Sequence, residues 1–193
     1  MTNWKQAQKW EGSWWDTCQN TYNEEQKQLI YAEKMGLVRV PDKKTPYRFD
    51  LKGISVLDIG GGPVSLLLKC VNVRGKVVDS LEYPDWVAER YKTAGIEYER
   101  IKGEDLNETG FDEIWIYNVL EHTENPEKII QNAKKAGKLI RIFEWVDTNL
   151  TDGHIHTFNK QQLDEWLGGR GKVENFSRGG AYGQGYYGIF PTN

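Results

Sequence analysis

The sequence predicts an α/β fold in which a doubly wound, mainly parallel sheet of seven strands is covered by helices on both faces. Three observations predict it. Short apolar runs alternate with helix-forming segments from residue 54 to residue 168, and this alternation with short connections is typical of parallel sheets buried on both faces. The glycine-rich and aromatic C-terminal segment predicts an antiparallel hairpin. Good helix formers ahead of the first strand predict an N-terminal helical arm.

The N-terminal arm covers residues 1–38. Within it, Thr21 and Glu24 have the spacing of a capping box, and helix formers follow. A linker at Arg39–Arg48, with two prolines and clustered charge, separates this arm from a core over residues 51–193. We expect arm and core to form a single domain, because 193 residues are too few for two ordinary domains.

The core is predicted to begin with a strand over residues 54–59, and Pro63 predicts an α-helix over residues 63–71. Further strands are predicted at 75–80, 96–103, 111–118 and 138–145, and further helices at 84–95, 125–137 and 159–168. Asn159 has the position of a helix cap, and Phe158 has the position to pack on Leu163. Two strands within residues 175–190 complete the sheet. Right-handed crossovers place the loops after the parallel strands at one edge, where ligands of such sheets bind.

Composition restricts the class of partner. The formal net charge of −3 does not provide the positive field that attracts nucleic-acid backbones, so nucleic acid is not an expected partner. There is no run of about 18 apolar residues and no apolar N-terminal signal, which predicts a cytoplasmic protein without a membrane partner. Cys18 and Cys70 lack metal-ligand spacing and are predicted to be reduced thiols. We expect a monomer or a homodimer.

Gly60, Gly61 and Gly62 follow the first predicted strand and precede a predicted helix. Glycine loses more backbone freedom on folding than any other residue, so three in succession predict a close approach to the main chain. Free amide hydrogens at the start of the helix would face whatever occupies the turn. The sequence therefore predicts a cofactor site at this turn.

Two cofactors compete for such a turn. A nicotinamide dinucleotide uses the spacing G-x-G-x-x-G, but its third glycine would fall on Ser65, and Asp58 would repel the pyrophosphate. S-adenosylmethionine carries an ammonium group that Asp58 would favour, a carboxylate that can use backbone amides, and no phosphate. We therefore predict S-adenosylmethionine as the cofactor and S-adenosylhomocysteine as its product.

The segment from Asp58 to Gly62, D-I-G-G-G, resembles the first motif of class I S-adenosylmethionine-dependent methyltransferases. Val64 stands where many members carry a further glycine. The resemblance extends over about residues 51–167, and it implies a Rossmann-like fold and an enzyme that transfers methyl groups. The segment after the fourth predicted strand, which includes Leu-Glu-His, is part of this resemblance.

Further cofactor contacts follow from the resemblance. Asp79 lies 21 residues after Asp58, where an acidic side chain would accept hydrogen bonds from the ribose hydroxyls. Glu104 or Asp105, after the third predicted strand, would face the adenine. Asn118, just past the fourth predicted strand, would approach the methyl group. A surface aspartate and a solvated acidic turn are the alternatives for Asp79 and for the Glu104–Asp105 pair.

The three histidines of the chain are candidates for the chemistry. His122 follows the fourth predicted strand, whereas His154 and His156 follow the fifth, at the same edge of the sheet. A histidine with its ordinary pKa of about 6.5 can take a proton from the methyl acceptor. We predict Glu121, His122 and His156 as catalytic residues. The alternative is that the histidines only brace their loops.

Several readings of function remain open. The predicted function is methyl transfer to an O or N atom of a small molecule. One alternative is a metal-assisted RNA 2′-O-methyltransferase, since some such relatives resemble E-x-x-E-H here. Asn118 in place of the first glutamate weakens a site for a hard cation, so we predict no metal, although His156 could serve as a ligand. Another alternative is a non-catalytic cofactor-binding subunit. Trp14 and Trp15 either form a lid over the site or only pack the arm.

Overall fold

A computed structural model describes residues 4–40 and 48–192. The helices are α1 (Trp4–Trp15), α2 (Tyr22–Lys34), α3 (Asp85–Thr93), α4 (Pro126–Ala136) and α5 (Lys160–Leu167). The strands are β1 (Phe49–Asp50), β2 (Ser55–Ile59), β3 (Cys70–Val71), β4 (Arg74–Asp79), β5 (Glu97–Arg100), β6 (Glu113–Tyr117), β7 (Leu139–Val146), β8 (Lys172–Arg178) and β9 (Ala181–Pro191).

The main sheet has seven strands in the order β5-β4-β2-β6-β7-β9-β8. The first five are parallel to one another, and β9 runs antiparallel to both β7 and β8. Gly179 and Gly180, both with positive φ, form the two-residue loop between β8 and β9, a conformation that matches the twist of a hairpin. The predicted fold class is confirmed, and a small parallel pair, β1 with β3, was not predicted.

The sheet carries apolar residues on both faces. Within β2, Val56 packs into a layer with residues of α2 and α3, whereas Leu57 and Ile59 pack into a layer with residues of α4 and α5. Successive strand residues point to opposite faces, so a strand covered on both sides reads as a continuous apolar run. This is why short apolar runs located these strands in the sequence.

The N-terminal helical arm is confirmed as α1 and α2, but one detail of it is wrong. Thr21 precedes α2 without a side-chain cap. Its hydroxyl donates instead to Glu25 Oε1 at 2.9 Å. Of the predicted linker, residues 41–47 lie outside the described residues. No helix within 4–40 and 48–192 has the length and apolar composition needed to cross a membrane.

The cap of α5 is confirmed. The Asn159 side chain accepts a hydrogen bond from the Gln162 backbone N–H at 2.9 Å. Phe158 and Leu163 are both buried in the same apolar cluster, as the predicted staple requires.

The predicted α-helix over residues 63–71 is wrong. The structure has two short 3-10 turns, Gly62–Val64 and Leu66–Lys69, separated by Ser65 in an extended conformation. Side-chain hydroxyls satisfy the backbone here: Tyr91 accepts from the Ser65 N–H, Tyr117 accepts from the Leu66 N–H, and Ser65 accepts from the Leu67 N–H. Because three successive donors have side-chain partners, the segment needs no helix to satisfy them.

Tyr117→Phe tests this account. The change leaves the buried Leu66 N–H without an acceptor, which costs about 1–3 kcal/mol of the free energy of unfolding. Tyr182→Phe is the matched control, because the Tyr182 side chain is largely exposed, and it should change stability by less than about 0.5 kcal/mol. Denaturant unfolding measures both, and equal midpoints for the two variants would contradict the account.

Candidate functional site

A cavity of about 300 Å³ lies at the edge of the sheet where the parallel strands end. Its wall on the sheet side comes from residues that follow β2, β4, β5 and β6, and α1 and α2 cover the opposite side. The predicted site residues that line it are Gly60, Gly61, Gly62, Asp79, Glu104, Asn118 and His122. The cavity is thus at the edge that the sequence predicted.

The three glycines of the turn have different reasons to lack a side chain. A Cβ on Gly60, whose φ is +73°, would lie 2.0 Å from Val119 Cγ2. A Cβ on Gly61 would lie 2.7 Å from Asp58 Oδ2. A Cβ on Gly62, whose φ is +61°, would lie 3.4 Å from the Trp15 ring. Neighbouring protein atoms therefore account for the first two, while Gly62 bounds the cavity opposite α1.

Asp58 lies behind the turn and does not line the cavity. It is fully buried, and its Oδ2 accepts hydrogen bonds from the hydroxyls of Ser65 at 2.5 Å and Tyr117 at 2.6 Å. Its Oδ1 is buried without a hydrogen-bond partner among the described residues. Burial raises the pKa of Asp58 to about 7, although the Ser65 and Tyr117 hydroxyls oppose this. Asp58 thus supports the turn from within.

The two acidic positions further along the sheet edge differ in placement. Asp79 lines the cavity while its Oδ2 accepts from the Gly62 N–H at 3.0 Å and its Oδ1 from the Leu81 N–H at 2.9 Å. Burial raises its pKa to about 6, and those two backbone hydrogen bonds oppose the rise. Glu104 also lines the cavity, whereas Asp105 is exposed and does not. The structure therefore brings Glu104, of the predicted pair, to the site.

The loop after β6 is held by a carboxylate that sequence reasoning missed. Asn118, which lines the cavity, has a φ of +54°, a left-handed conformation that asparagine tolerates better than most residues. Beyond it, the N–H groups of Val119 and Leu120 donate to the buried Glu144 carboxylate of β7. Glu144 lies in a mostly apolar strand. Its position two residues before the end of β7 was the one sign in the sequence that it could contact the loops at this edge of the sheet.

His122 lines the cavity as a neutral side chain. Its Nδ1 lies 3.0 Å from the Gly153 carbonyl oxygen, and because a carbonyl only accepts, Nδ1 carries the hydrogen. Burial lowers the pKa of His122 to about 4. The ring centroid of His154 is 4.8 Å away, and burial likewise lowers the pKa of His154 to about 4. The loops after β6 and β7 therefore contact each other through His122 and His154.

The other two predicted catalytic residues do not line the cavity. Glu121 is buried beneath it, with Oε2 accepting from the Thr148 hydroxyl at 3.2 Å and Oε1 without a partner. Burial raises the pKa of Glu121 to about 7. His156 Nε2 donates to the Thr123 carbonyl oxygen at 2.9 Å, which joins its loop to the loop after β6. Catalytic roles for both residues stay predictions.

Glu121, His122 and His154 each offer one atom to a metal ion, and these atoms lie within 4.8 Å of one another. Two imidazoles and one carboxylate are a possible ligand set for a transition metal. His156, the ligand considered from the sequence, is not in this group. That the site works without a metal stays a prediction.

Helix α1 covers the cavity. Its residues Trp4, Gln8, Glu11 and Trp15 recur at intervals of three or four, so they share one helix face, and all four line the cavity. The Ser80 hydroxyl donates to Gln8 Oε1 at 2.8 Å, which ties α1 to the end of β4. The arm therefore both packs on the sheet and forms the roof of the site.

Glu11 is the cavity residue that the sequence gave least reason to expect. Its Oε2 lies 3.4 Å from His122 Nδ1. Burial raises its pKa to about 7 with a further contribution from repulsion by Glu24, while Trp15 and Lys27 oppose the rise. The only signal in the sequence was the helical spacing that places Glu11 between Gln8 and Trp15.

The raised pKa of Asp58 predicts how stability depends on pH. A group whose pKa is higher in the folded protein binds its proton more tightly there, so its contribution is complete below its ordinary value of 3.8 and is lost as the pH rises through 7. We expect the unliganded wild type to lose about 2–3 kcal/mol relative to Asp58→Asn between pH 5 and pH 8. Denaturant unfolding at both pH values measures this, and parallel profiles would contradict it.

Comparisons with known proteins are informative at the level of fold. No protein-family model and no curated protein matches the sequence. A methyltransferase from Thermotoga maritima, described as a possible histamine N-methyltransferase, has a TM-score of 0.64 at 13% identity, covering 98% of this chain and 99% of its own. The 1,6-didemethyltoxoflavin-N1-methyltransferase of Burkholderia thailandensis, with bound 1,6-didemethyltoxoflavin and S-adenosylhomocysteine, has a TM-score of 0.65 at 14% identity, covering 97% and 87%.

A protein with different chemistry also matches. The [4+2]-cyclase SpnF has a TM-score of 0.54 at 14% identity, covering 79% of this chain and 58% of its own. A shared fold does not determine the reaction. The chain has the class I S-adenosylmethionine-dependent methyltransferase fold.

Proposed function

We propose that the protein is a methyltransferase that uses S-adenosylmethionine to methylate an O or N atom of a small molecule. The observation that supports this most is one cavity that is bordered on the sheet side by the glycine turn, Asp79, Glu104 and Asn118 and covered by α1 and α2. The cofactor would lie against the sheet-side wall, and the acceptor would approach it beneath the helices.

The charges around the turn fit this cofactor better than a dinucleotide. Three carboxyl groups lie around the glycines. That of Asp58 lies behind them, that of Asp79 beside them and that of Glu104 beyond them. A pyrophosphate would meet these acids with Lys27 as the one lysine or arginine of the described lining, whereas a sulfonium and an ammonium would be favoured by them. The two short 3-10 turns that follow the glycines also lack the helix dipole on which pyrophosphate sites depend.

Each wall residue has a proposed role toward the cofactor. Asp79 accepts from the ribose hydroxyls, Glu104 from the adenine amine, and Asn118 borders the methyl group. Gly60, Gly61 and Gly62 allow the backbone to approach the amino-acid half. Asp58 holds the turn in shape through Ser65 and Tyr117. When bound, S-adenosylmethionine supplies a methyl group that is activated by its sulfonium.

Catalysis in such a site depends mainly on alignment of the acceptor with the methyl group. His122, the one predicted catalytic residue that lines the cavity, is neutral at pH 7 and a weak base, since its pKa is lowered to about 4. We propose that His122 borders the acceptor, and that Glu121 and His156 position its loop. The tautomer with hydrogen on Nδ1 leaves Nε2 as an acceptor.

The two alternatives are less well supported. A strip of basic residues beside the site would support a metal-assisted RNA 2′-O-methyltransferase. The net charge of the chain is instead −3, and the cavity is rich in acidic side chains. A non-catalytic cofactor-binding subunit would not need the histidine and tryptophan side chains that line the cavity beside the glycine turn. The small-molecule proposal gives these side chains a role toward the acceptor.

Calorimetry with S-adenosylhomocysteine tests the cofactor assignment. We expect micromolar binding by the wild type and about 10- to 100-fold weaker binding by Asp79→Asn, because hydrogen bonds to a charged acceptor contribute roughly 1.5–3 kcal/mol. Asp105→Asn is the matched control, since this neighbouring acid is exposed and outside the cavity. Thermal melting checks that both variants fold. No detectable heat with S-adenosylhomocysteine or S-adenosylmethionine would refute the proposed function.

A further inference from the structure

We infer that the acceptor carries a positively charged amine and that it binds beneath α1 and α2. The site, here called the aromatic chamber, is lined by Trp10, Glu11, Trp14, Trp15, Glu24 and Trp145. This inference rests on the proposed function, because it names the class of acceptor for the same cavity.

Tryptophan rings form much of the aromatic chamber. Trp14 and Trp15 meet edge to face, with ring centroids 4.6 Å apart. The ammonium of Lys27 lies 6.0 Å from the centroid of the Trp14 ring. The faces of tryptophan rings attract cations through their quadrupole, and this attraction strengthens where water is excluded. The Trp14 ring thus already has one protein ammonium beside it.

The charge of the aromatic chamber also favours a cation. Among the described residues that line the cavity, Lys27 is the only lysine or arginine, and it pairs with Glu24 at 3.2 Å. Glu11 Oε2 lies 3.4 Å from His122 Nδ1, and Glu11 and Glu24 line the same cavity. A cation bound there would be attracted by both acids.

The lining offers little to an anion. Lys27 is the one lysine or arginine of the described lining, and Glu24 already pairs with it, so an anionic acceptor would face Glu11 and Glu24 with little to favour it. A neutral alcohol would gain neither from the ring faces nor from the two acids as a cation does. An aliphatic or aromatic amine is the acceptor class that uses both the rings and the acids.

The reaction balances for an amine. The bound ammonium releases one proton to the solvent, and the nitrogen lone pair then forms a bond to the methyl carbon. The carbon–sulfur bond breaks, and its electron pair stays on sulfur, which becomes neutral. The positive charge moves from sulfur to the methylated nitrogen, so the rings and carboxylates of the aromatic chamber face a cation before and after transfer.

The test compares ligands of similar size whose head groups are cationic, neutral or anionic. Phenethylamine, 2-phenylethanol and 3-phenylpropionate form one set, and butylamine, 1-butanol and butyrate form a second that lacks the ring. Binding of each is measured by calorimetry to the wild type saturated with S-adenosylhomocysteine. We expect the amine of at least one set to bind about 10-fold more tightly than its alcohol and its carboxylate. An absence of amine preference in both sets overturns the inference.

Variants test the role of Glu11. Glu11→Gln should weaken binding of the preferred amine by about 10-fold and leave the affinity for S-adenosylhomocysteine within about twofold. Asp16→Asn is the matched control, because this acid is exposed on the same arm and does not line the cavity; it should change neither affinity. Unchanged amine binding in Glu11→Gln overturns the inference.

The outcomes separate the two proposals. If S-adenosylhomocysteine does not bind the wild type, the proposed function fails. If it binds and the carboxylate probe is preferred, or no charge preference is found, the cofactor assignment stands and the amine acceptor does not. Should Glu11→Gln fail to fold, the ligand series on the wild type still decides.

Discussion

The buried carboxyl of Asp58 is the interaction on which the rest of the site depends. It accepts hydroxyl hydrogen bonds from Ser65 and from Tyr117 at the end of β6, while those same hydroxyls accept from the backbone of the segment after the glycines. Tyr91 of α3 completes the network, since its hydroxyl accepts from the Ser65 N–H and donates to the Gly62 carbonyl oxygen. Two neighbouring strands and a helix thereby hold the turn in one conformation. A site built this way is organised before any ligand arrives, which reduces the entropy lost on binding.

The same network changes how the glycine motif is understood. From the sequence, three glycines indicated that a ligand approaches the main chain. In the structure, Val119 occupies the space beside Gly60, and Asp58 and Val77 occupy the space beside Gly61. Two of the three glycines are therefore needed by the protein's own packing, and Gly62 faces Trp15 across the cavity. The motif therefore reflects the packing of the fold as well as the binding of a cofactor. This is why its resemblance to the methyltransferase motif correctly predicted the fold.

What could be predicted from the sequence depended on whether the signal was local. Strands covered on both faces produce continuous apolar runs, and the Asn159 cap and the Gly179–Gly180 loop are determined by neighbouring residues, so these were predictable. The false helix over residues 63–71 looked regular, but two of the three hydroxyls that satisfy its backbone belong to residues 26 and 51 positions away in the chain. Glu11 and Glu144 were not predicted as site residues for the same reason, because tertiary packing brings them to the site. The meeting of two histidine loops was anticipated, yet His154 rather than His156 lies beside His122.

The accumulation of acids around the cavity is costly for an empty protein. Burial raises the pKa of Glu11, Asp58, Asp79 and Glu121, which means that ionising each of them in the folded state is unfavourable. Groups with such shifts cluster at functional sites, where a ligand supplies the missing partner. A sulfonium beside the glycine turn and an ammonium in the aromatic chamber would each supply positive charge where this cost arises.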